Sequence, residues 1–198
     1  MNTQKQKRIK ETLSKKTVGI AGAGGLGSNA AVALARSGIG QIIIVDFDVV
    51  EESNLNRQYY FLDQLGMKKV DALTQNIHRI NPQITIDSVQ LKLEQGQMHI
   101  PFVSTDIIIE ALDDAKTKKI FIEEILEKLP NTPIVAASGV AGYGHNDRIN
   151  TQHLGNLHVC YDEQAKPSEK DVLLAPKVCL MANWQANITL DLLLGDNI

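Results

Sequence analysis

The chain has 198 residues, 43% of them apolar and 22% charged, with a formal net charge of −3. This length and apolar content suit one globular domain with a sizeable core and are too small for two. The weakly acidic balance argues against nucleic acid as a partner, and no apolar run approaches the roughly twenty residues that cross a bilayer. We therefore expect a single cytoplasmic domain with no membrane partner.

Residues 1–16 form a basic arm in which six lysine and arginine residues are accompanied by one acid, Glu11. This charge pattern predicts a solvated, amphipathic N-terminal helix. The alternative is that the arm adds positive charge to a phosphate site, for which Arg8 is the arginine that this stretch offers. Both interpretations leave the core to begin after residue 16.

A short apolar run, a glycine turn and a helix with small apolar residues follow in residues 17–37. Glycine is needed at Gly22, Gly24 and Gly27 because the turn is tight and because a Cβ would keep the backbone away from a phosphate. The N–H groups that begin the helix would face that anion. A second apolar strand then ends in Asp46, where an acid can accept hydrogen bonds from a ribose. This order predicts half of a nucleotide-binding βαβ fold.

The polar run DFDVVEESNLNRQ, residues 46–58, is more informative than the glycine spacing. That spacing also occurs in proteins that bind NAD, FAD or no nucleotide. The polar run places Arg57 just past the carboxyl end of a strand, together with amides such as Asn54 and Gln58 that can bond phosphates or shape the turn. A pyrophosphate that is already bound by helix N–H groups does not need an additional arginine, whereas the more highly charged triphosphate does. The run therefore favours a nucleoside triphosphate.

The middle of the chain predicts three elements before the next polar cluster. They are a helix over residues 62–80, a strand over residues 84–89 and a buried strand over residues 106–111. Asp113 and Asp114 follow the last strand, where an α/β sheet places its ligands. Either acid can instead cap the helix predicted over residues 115–129, and we expect Asp114 to do so.

The pattern changes after a further strand at residues 132–138. Short strand patterns separated by glycine turns leave no room for crossover helices, and they cover residues 140–144, 147–154 and 157–161. We expect these strands to be antiparallel. The whole pattern predicts an α/β, Rossmann-like three-layer fold with a mixed sheet, parallel over its nucleotide-binding half and antiparallel over its C-terminal half.

The last part of the chain predicts a loop and a buried helix. Residues 162–175 are polar and contain Pro167, which is typical of a mobile loop. Residues 177–194 are apolar nearly all round, so we expect this helix to be buried in the core, in a dimer interface or in both.

The two cysteines, Cys160 and Cys179, are too few for a four-cysteine zinc site, so we expect no structural zinc. Two cysteines in an intracellular α/β protein are expected to stay reduced and not to form a disulfide. Apolar and polar residues alternate around Cys160, so this thiol can simply lie on one face of a strand. Cys179 falls within the apolar C-terminal helix and is expected to be structural.

Three motifs stand in order within residues 22–58: GAGGLGS, DFDVV and NLNRQ. In this order and spacing they make the chain resemble the ThiF/MoeB/HesA family and the adenylation domain of ubiquitin-activating enzymes. The chain is most similar to the short, zinc-free ThiF proteins. The resemblance implies one adenylation domain over residues 1–198, with an arm at 1–16, a nucleotide-binding part at 17–138 and a C-terminal part at 139–198.

The resemblance also implies which residues contact the nucleotide. They are Gly22, Gly24, Gly25, Leu26, Gly27, Asp46, Asp48, Asn54, Arg57, Gln58, Lys69 and Asp113. Arg57, Lys69 and Asp113 are the implied catalytic residues, and Asp113 is the implied partner of Mg²⁺. Two adjacent lysines are by themselves typical of a solvated helix surface, but the family element G-x-x-K-V aligns with Lys69 and not with Lys68.

The implied reaction uses ATP and Mg²⁺ to adenylate the C-terminal carboxylate of a small ubiquitin-like sulfur carrier. This ThiS-like carrier ends in Gly-Gly, serves thiamine thiazole biosynthesis, and reacts with release of pyrophosphate. The residue chemistry agrees, because an anionic carboxylate attacks an anionic phosphate and cations must offset the repulsion. No side-chain general base is needed, since the nucleophile is already ionised.

The antiparallel C-terminal half and the apolar C-terminal helix favour a homodimer, and the family implies that Arg8 of one subunit reaches the nucleotide of its neighbour. It also implies a covalent link between Cys160 and the activated carrier. Other functions remain open at this point. The same apparatus can adenylate a molybdopterin-type carrier, a peptide or a tRNA-linked carboxylate. An NAD(P)-dependent oxidoreductase would leave Arg57, Lys69 and Asp113 without a role. A non-enzymatic interaction module would have lost Arg57 or Asp113, so their presence counts against it.

Overall fold

The computed structural model describes residues 3–166 and 170–195, which form a seven-stranded sheet between layers of helices. The strands are β1 (Thr17–Ala21), β2 (Gln41–Asp46), β3 (Thr85–Gln90), β4 (Ile107–Glu110), β5 (Ile134–Ser138), β6 (Ile149–Leu154) and β7 (Leu157–Asp162). The helices are α1 (Thr3–Leu13), α2 (Gly25–Ser37), α3 (Lys69–His78), α4 (Ala115–Lys128) and α5 (Ala175–Leu194). Pro167, in the predicted mobile loop, lies outside the described residues.

The strand order is β3-β2-β1-β4-β5-β7-β6, and neighbouring strands are parallel except for β6 with β7. This confirms the predicted mixed sheet, although its antiparallel part is smaller than expected. Strand β6 runs back along the sheet edge, and the hairpin then inserts β7 parallel to β5. A returning strand thus takes the place of a crossover helix. Residues 140–144 form no strand, and Gly142 makes an isolated bridge with Leu173.

The central strands are buried on both faces, which explains their unbroken apolar sequences. On one face of β2, Ile42 and Ile44 pack into a core formed with α2, α3 and α5. On the other face, Ile43 and Val45 pack with Phe121 of α4. The sheet therefore lies between two helical layers, as the three-layer prediction requires.

Helix α5 is the apolar C-terminal helix expected from the sequence, and Met181, Ala182 and Gln185 in its middle are fully buried. It packs against α2 and lies over β5 and β7. Trp184 and Leu192 remain partly exposed on its outer side. Across the part of the chain that the structure describes, no helix combines the length and apolar composition that a membrane span requires.

Helix α1 contains most of the basic arm, and it is amphipathic as predicted. Its charged side chains are exposed, whereas Leu13 is buried and Ile9 packs against the core. Behind the helix, Asp106 ties the start of β1 to the start of β4, because it accepts hydrogen bonds from Lys16 Nζ at 2.9 Å and Thr17 N–H at 2.8 Å. The arm therefore lies at the amino ends of the strands.

Candidate nucleotide-binding site

A cleft of about 940 Å³ opens at the carboxyl ends of β1, β2, β4, β5 and β7. Ligands of α/β sheets bind at this edge, beside the point where the strand order reverses, which here lies between β1 and β4. The predicted nucleotide contacts that line the cleft are Gly22, Gly24, Gly25, Leu26, Asp46, Asp48, Arg57, Gln58, Lys69 and Asp113. Gly27 and Asn54 are not part of its lining.

The glycine turn between β1 and α2 has no room for a side chain at Gly22 or Gly27. Gly22 has a φ of 98°, and a Cβ there would lie 2.6 Å from Ala111 O. A Cβ on Gly27 would lie 1.8 Å from Gly22 O, so Gly27 is required for close packing of the helix on the turn and not for contact with a ligand. Because the first N–H groups of an α-helix have no intrahelical acceptor, those of α2 are available to an anion in the cleft.

The segment of residues 57–60 holds the glycine turn from outside. Ser28 Oγ donates to Gly24 O at 2.6 Å and accepts from Tyr59 N–H at 3.0 Å. Asn29 Nδ2 donates to Gly25 O at 2.7 Å and to Arg57 O at 3.0 Å. These bonds place the backbone of the NLNRQ motif against the start of α2.

Tyr60 is a supporting residue that the sequence analysis did not single out. Its hydroxyl donates to Ala23 O at 2.7 Å, and its ring is almost fully buried. Burial raises the pKa of Tyr60, and the charges of Asp46 and Asp48 raise it further. The signal for this role in the sequence was the residue type, because a tyrosine hydroxyl needs a hydrogen-bond partner when it is buried.

Asp46 stands at the end of β2, where the ribose contact was predicted. Its Oδ2 accepts from Ala23 N–H at 2.6 Å and its Oδ1 accepts from Asp48 N–H at 2.7 Å. The carboxylate therefore fixes the glycine turn as well as lining the cleft. Each oxygen has a second lone pair with which it can accept a bond from a ribose hydroxyl.

Helix α3 begins at Lys69 and not at the predicted residue 62, because the preceding segment pairs with the chain after β2. Val50 exchanges hydrogen bonds with this segment, donating to Met67 O at 2.8 Å and accepting from Gly66 N–H at 2.9 Å. This pairing brings Lys69 to Asp48, and Lys69 Nζ donates to Asp48 Oδ2 at 2.8 Å. Lys69 is buried at the cleft wall, whereas Lys68 is exposed outside it.

The side chains of the NLNRQ motif divide between the turn and the cleft. Asn54 Oδ1 accepts from Glu51 N–H at 3.0 Å, so Asn54 shapes the turn. Arg57 Nη1 donates to Ser53 O at 2.9 Å and lines the cleft. Gln58 Oε1 is buried without a hydrogen-bond partner, although its residue lines the cleft. A ligand donor could satisfy this oxygen.

The two acids after β4 have different environments. Asp114 caps α4, because its Oδ2 accepts from both Thr117 N–H and Thr117 Oγ1 at 2.7 Å, which confirms the predicted cap. The bonds from the Thr117 hydroxyl and amide lower the pKa of Asp114. Asp113 is exposed at the cleft, and its carboxylate has no bond to another described residue. It is therefore free to meet a ligand or a cation.

Lys92 and Lys118 are further cations at the cleft that the sequence analysis did not identify. Lys92 Nζ lies 5.6 Å from the centre of the Phe47 ring. Lys118 is bonded to the buried Glu110. The sequence carried no clear signal for either pairing, since the partners are on different elements.

Cys160 is not placed for the covalent role implied by the resemblance. Its side chain is fully buried in β7, with Sγ at 3.5 Å from Ala136 O, and it does not line the cleft. Burial raises the pKa of the thiol to about 12, so it is protonated at neutral pH. A nucleophilic cysteine must be accessible and ionised. The strand-face interpretation of Cys160 fits this structure and the covalent interpretation does not.

Arg8 is exposed on α1, where it lines a separate depression of about 450 Å³ with Thr12 and Lys15. It is not part of the lining of its own chain's cleft. The contact with a nucleotide of a neighbouring subunit therefore stays a prediction.

The named relatives of this chain include a yeast adenylyltransferase and a bacterial dehydratase. Adenylyltransferase and sulfurtransferase UBA4 of Saccharomyces cerevisiae is 31% identical over 183 residues, which are 89% of this chain and 41% of the relative. The tRNA threonylcarbamoyladenosine dehydratase of Bacillus subtilis is 33% identical over 150 residues, which are 75% of this chain and 58% of the relative. This chain thus covers less than two thirds of the length of each.

A solved structure and a family model complete the comparison. The Escherichia coli tRNA N6-threonylcarbamoyladenosine dehydratase TcdA, in complex with ATP, has a TM-score of 0.85 at 20% identity, over 94% of this chain and 89% of TcdA. This likeness establishes the fold. The ThiF family model matches residues 2–198. The family that the three motifs indicate is therefore confirmed, and the chain belongs to the ThiF family.

Proposed function

We propose that this chain adenylates the C-terminal carboxylate of a small ubiquitin-like carrier protein, with ATP as the second substrate. The carrier is ThiS-like, ends in Gly-Gly and serves thiamine thiazole biosynthesis. The observation that carries the proposal is the meeting of the glycine turn, Arg57, Lys69 and Asp113 in one cleft. A relative named as an adenylyltransferase supports the reaction class.

The proposed reaction joins two anions. A carboxylate oxygen attacks the α-phosphate, a new oxygen–phosphorus bond forms, and the bond to the β-phosphate breaks so that pyrophosphate leaves. Fixed positive charge must offset the repulsion between the reactants. The N–H groups at the start of α2, with Arg57 and Lys69, supply that charge. Because Asp48 already holds Lys69 at the cleft wall, little reorganisation is needed when ATP binds.

Mg²⁺ fits this site when the phosphates of ATP supply most of its ligands. Among residues 3–166 and 170–195, no group of three His, Cys, Asp or Glu side chains is placed to hold a metal ion. Mg²⁺ is commonly bound by one or two carboxylates together with substrate phosphates and water. Asp113 would be the protein ligand, and the metal would neutralise phosphate charge.

Exchange of labelled pyrophosphate into ATP tests the proposal. The protein is incubated with ATP, MgCl₂ and a ThiS-like carrier ending in Gly-Gly, and we expect exchange that depends on the carrier. The matched control is the same carrier without its last glycine, which should support no exchange. Fluorescence of bound NADH together with no exchange would contradict the proposal and favour an oxidoreductase.

A tRNA-linked carboxylate is the second candidate acceptor. The similarity to the Bacillus subtilis tRNA threonylcarbamoyladenosine dehydratase, at 33% identity, favours it over other carboxylates. The same nucleotide half would serve both acceptors, because activation occurs at the α-phosphate in each case. Release of AMP or pyrophosphate with total tRNA, and no exchange with the Gly-Gly carrier, would favour the tRNA acceptor.

We also propose a homodimer in which Arg8 of one subunit enters the cleft of the other. Apolar side chains that follow the NLNRQ motif are left exposed and would be covered in a dimer: Phe61 is 45% exposed, Leu62 74% and Leu65 45%. Sedimentation velocity should show a dimer at micromolar concentration. A monomer under these conditions would contradict the proposed dimer.

A further inference from the structure

Two charged residues on the β4 side of the cleft have no part in the reaction described above. Glu110 is the last residue of β4, and its exposed fraction is 0%. Lys118, in the first turns of α4, donates a hydrogen bond from Nζ to Glu110 Oε2. Leu112 N–H donates to Glu110 Oε1 at 2.8 Å. Both carboxylate oxygens therefore have a donor. Burial raises the pKa of Glu110, and the bonds from Lys118 and Leu112 offset part of that rise.

The Glu110–Lys118 pair lies close to the reversal point of the sheet. Lys118 lines the cleft together with Asp113, and its side chain is 21% exposed. Ala111, the residue after Glu110, lies so near the glycine turn that a Cβ on Gly22 would be 2.6 Å from its carbonyl oxygen. Glu110 thus holds a Lys118 side chain that lines the same cleft as Gly22, Gly24 and Gly25 of the glycine turn.

The Lys118 ammonium has unused hydrogen-bonding capacity. A lysine ammonium has three N–H donors. Within the part of the chain that the structure describes, Glu110 is the one acceptor bonded to Lys118. The remaining donors are available to a ligand. Because a buried carboxylate already fixes the side chain, binding through Lys118 loses less rotamer entropy than binding through a free surface lysine.

We propose that Lys118 acts in the adenylation site beside Arg57 and Lys69, held in place by Glu110, and that it binds a reacting anion on the β4 side of the cleft. This inference rests on the proposed function. Two anions meet there in the proposed reaction, the α-phosphate of ATP and the carboxylate of the acceptor. Either anion can accept the free N–H bonds of Lys118. Lys118 then contacts the substrate, and Glu110 is a positioning residue.

The principal test compares Lys118→Met with Lys119→Met. Lys119 is the next residue of α4, is 75% exposed and pairs with Glu123 on the surface, so it is a matched control. We expect Lys118→Met to slow carrier-dependent pyrophosphate exchange about 100-fold, as removal of a fixed transition-state donor does. Lys118→Arg, which keeps the charge, should recover part of the loss. Lys119→Met should match the wild type.

Calorimetric titration with ATP and MgCl₂, without carrier, shows which of the two anions Lys118 binds. A Kd for ATP that rises about tenfold in Lys118→Met would assign Lys118 to the phosphates, since a charged hydrogen bond is worth about that much. An unchanged Kd with a raised KM for the Gly-Gly carrier would assign it to the carboxylate. Either result supports the proposal.

If the Glu110–Lys118 pair had a purely structural role, any Lys118 variant that folds would keep wild-type exchange. Removing one partner of a buried ion pair can unfold the chain, so the double variant Glu110→Gln/Lys118→Met removes both charges and keeps an acceptor for Leu112 N–H. We expect this variant to fold and to show the same loss of exchange. Wild-type exchange and ATP binding in a folded Lys118 variant would overturn the inference. Absence of ATP binding and exchange in the wild type would instead overturn the proposed function.

Discussion

The two walls of the cleft differ in how firmly they are held. The nucleotide wall, residues 22–29 and 46–60, is joined by hydrogen bonds from side chains to the backbone of the glycine turn. Asp46 accepts from Ala23 N–H at 2.6 Å, and Tyr60 donates to Ala23 O at 2.7 Å. Several independent bonds thus hold the same few backbone atoms, and this wall is ordered before a ligand arrives.

We name residues 139–145 and 171–174 the acceptor wall, because they would face the acceptor in the proposed reaction. Of these, residues 139–141 and Leu173 line the cleft, whereas Tyr143 and Val172 lie outside its lining. Gly142 N–H donates to Val172 O at 2.8 Å and links its two segments. Tyr143 is 75% exposed and Val172 is 55% exposed, so their apolar surfaces face outward. Exposed apolar surface with few internal bonds is suited to a partner that covers it.

In the proposed reaction, the two substrates would place different demands on the two walls. A small, rigid polyphosphate is best bound by atoms that are already in position. A protein tail can be bound by a surface that becomes ordered as it is covered. The following experiments test whether the two walls are separable in this way.

Gly27→Ala should have the largest effect. The new Cβ would lie 1.8 Å from Gly22 O, so the nucleotide wall must open. We expect a loss of about 3 kcal/mol in the free energy of unfolding, with loss of ATP binding. Gly24→Ala is the control, because its Cβ would lie 3.9 Å from Gln58 Nε2, its nearest neighbour. Urea unfolding curves give the free energy of unfolding of both variants. Equal losses of this free energy would show that the nucleotide wall is not closely packed.

Arg57→Ala and Lys69→Ala should each weaken the transition state by about 2 kcal/mol while leaving the fold intact. The reason is that both residues line the cleft as cations. Lys68→Ala is the control, since Lys68 is exposed outside the cleft. The measurement is kcat/KM in pyrophosphate exchange. If both variants keep wild-type exchange, their assignment as triphosphate ligands is wrong.

Asp113→Asn should separate binding from chemistry on the nucleotide side. Without Mg²⁺ the carboxylate repels ATP, so the variant should bind free ATP as well as the wild type or slightly better. It should lose most of the metal-dependent adenylation, because the proposed function makes this carboxylate the protein ligand of Mg²⁺. Unimpaired exchange would remove the metal role.

Asp114→Ala is the comparison for Asp113→Asn, because Asp114 caps α4 and should affect stability instead. The folded-state pKa of Asp114 is lowered by its bonds from Thr117. Its contribution to stability is therefore present above the pKa of an unfolded aspartate and is lost as pH falls through the folded pKa. Thermal unfolding of wild type and variant should converge in acid.

Tyr143→Ala should have a smaller effect, confined to the acceptor wall. The side chain is 75% exposed, so its loss should leave the fold and the Kd for ATP unchanged. We expect the KM for the Gly-Gly carrier to rise by about tenfold, as for an exposed aromatic contact in an interface. A raised Kd for ATP would show that the two walls are coupled.

Cys160→Ser should have the smallest effect on activity. The thiol is buried against Ala136 O at 3.5 Å, and a serine hydroxyl can take its place as a donor. We expect unchanged exchange and unchanged sulfur transfer to the carrier. Loss of transfer in a variant that folds normally would restore the covalent role of Cys160.

Much of the nucleotide wall could be predicted because it depends on near neighbours. The spacing of Gly22 and Gly27 follows from the sterics of one turn, and the buried apolar runs around it are β1 and β2. The cap at Asp114 is equally local, because donor and acceptor are three residues apart. The sequence by itself therefore determined the fold class, the family and the helix cap at Asp114.

The tertiary structure alone decided the features that depend on distant partners. The parallel direction of β7, the start of α3 at Lys69 and the burial of Cys160 each result from pairing with a segment elsewhere in the chain. The pair formed by Glu110 and Lys118 joins the end of a strand to a helix in the same way. Periodicity and motif spacing describe which face of an element is apolar, but not which segment packs against it. That choice is made by the competition for buried surface and backbone hydrogen bonds in the assembled core.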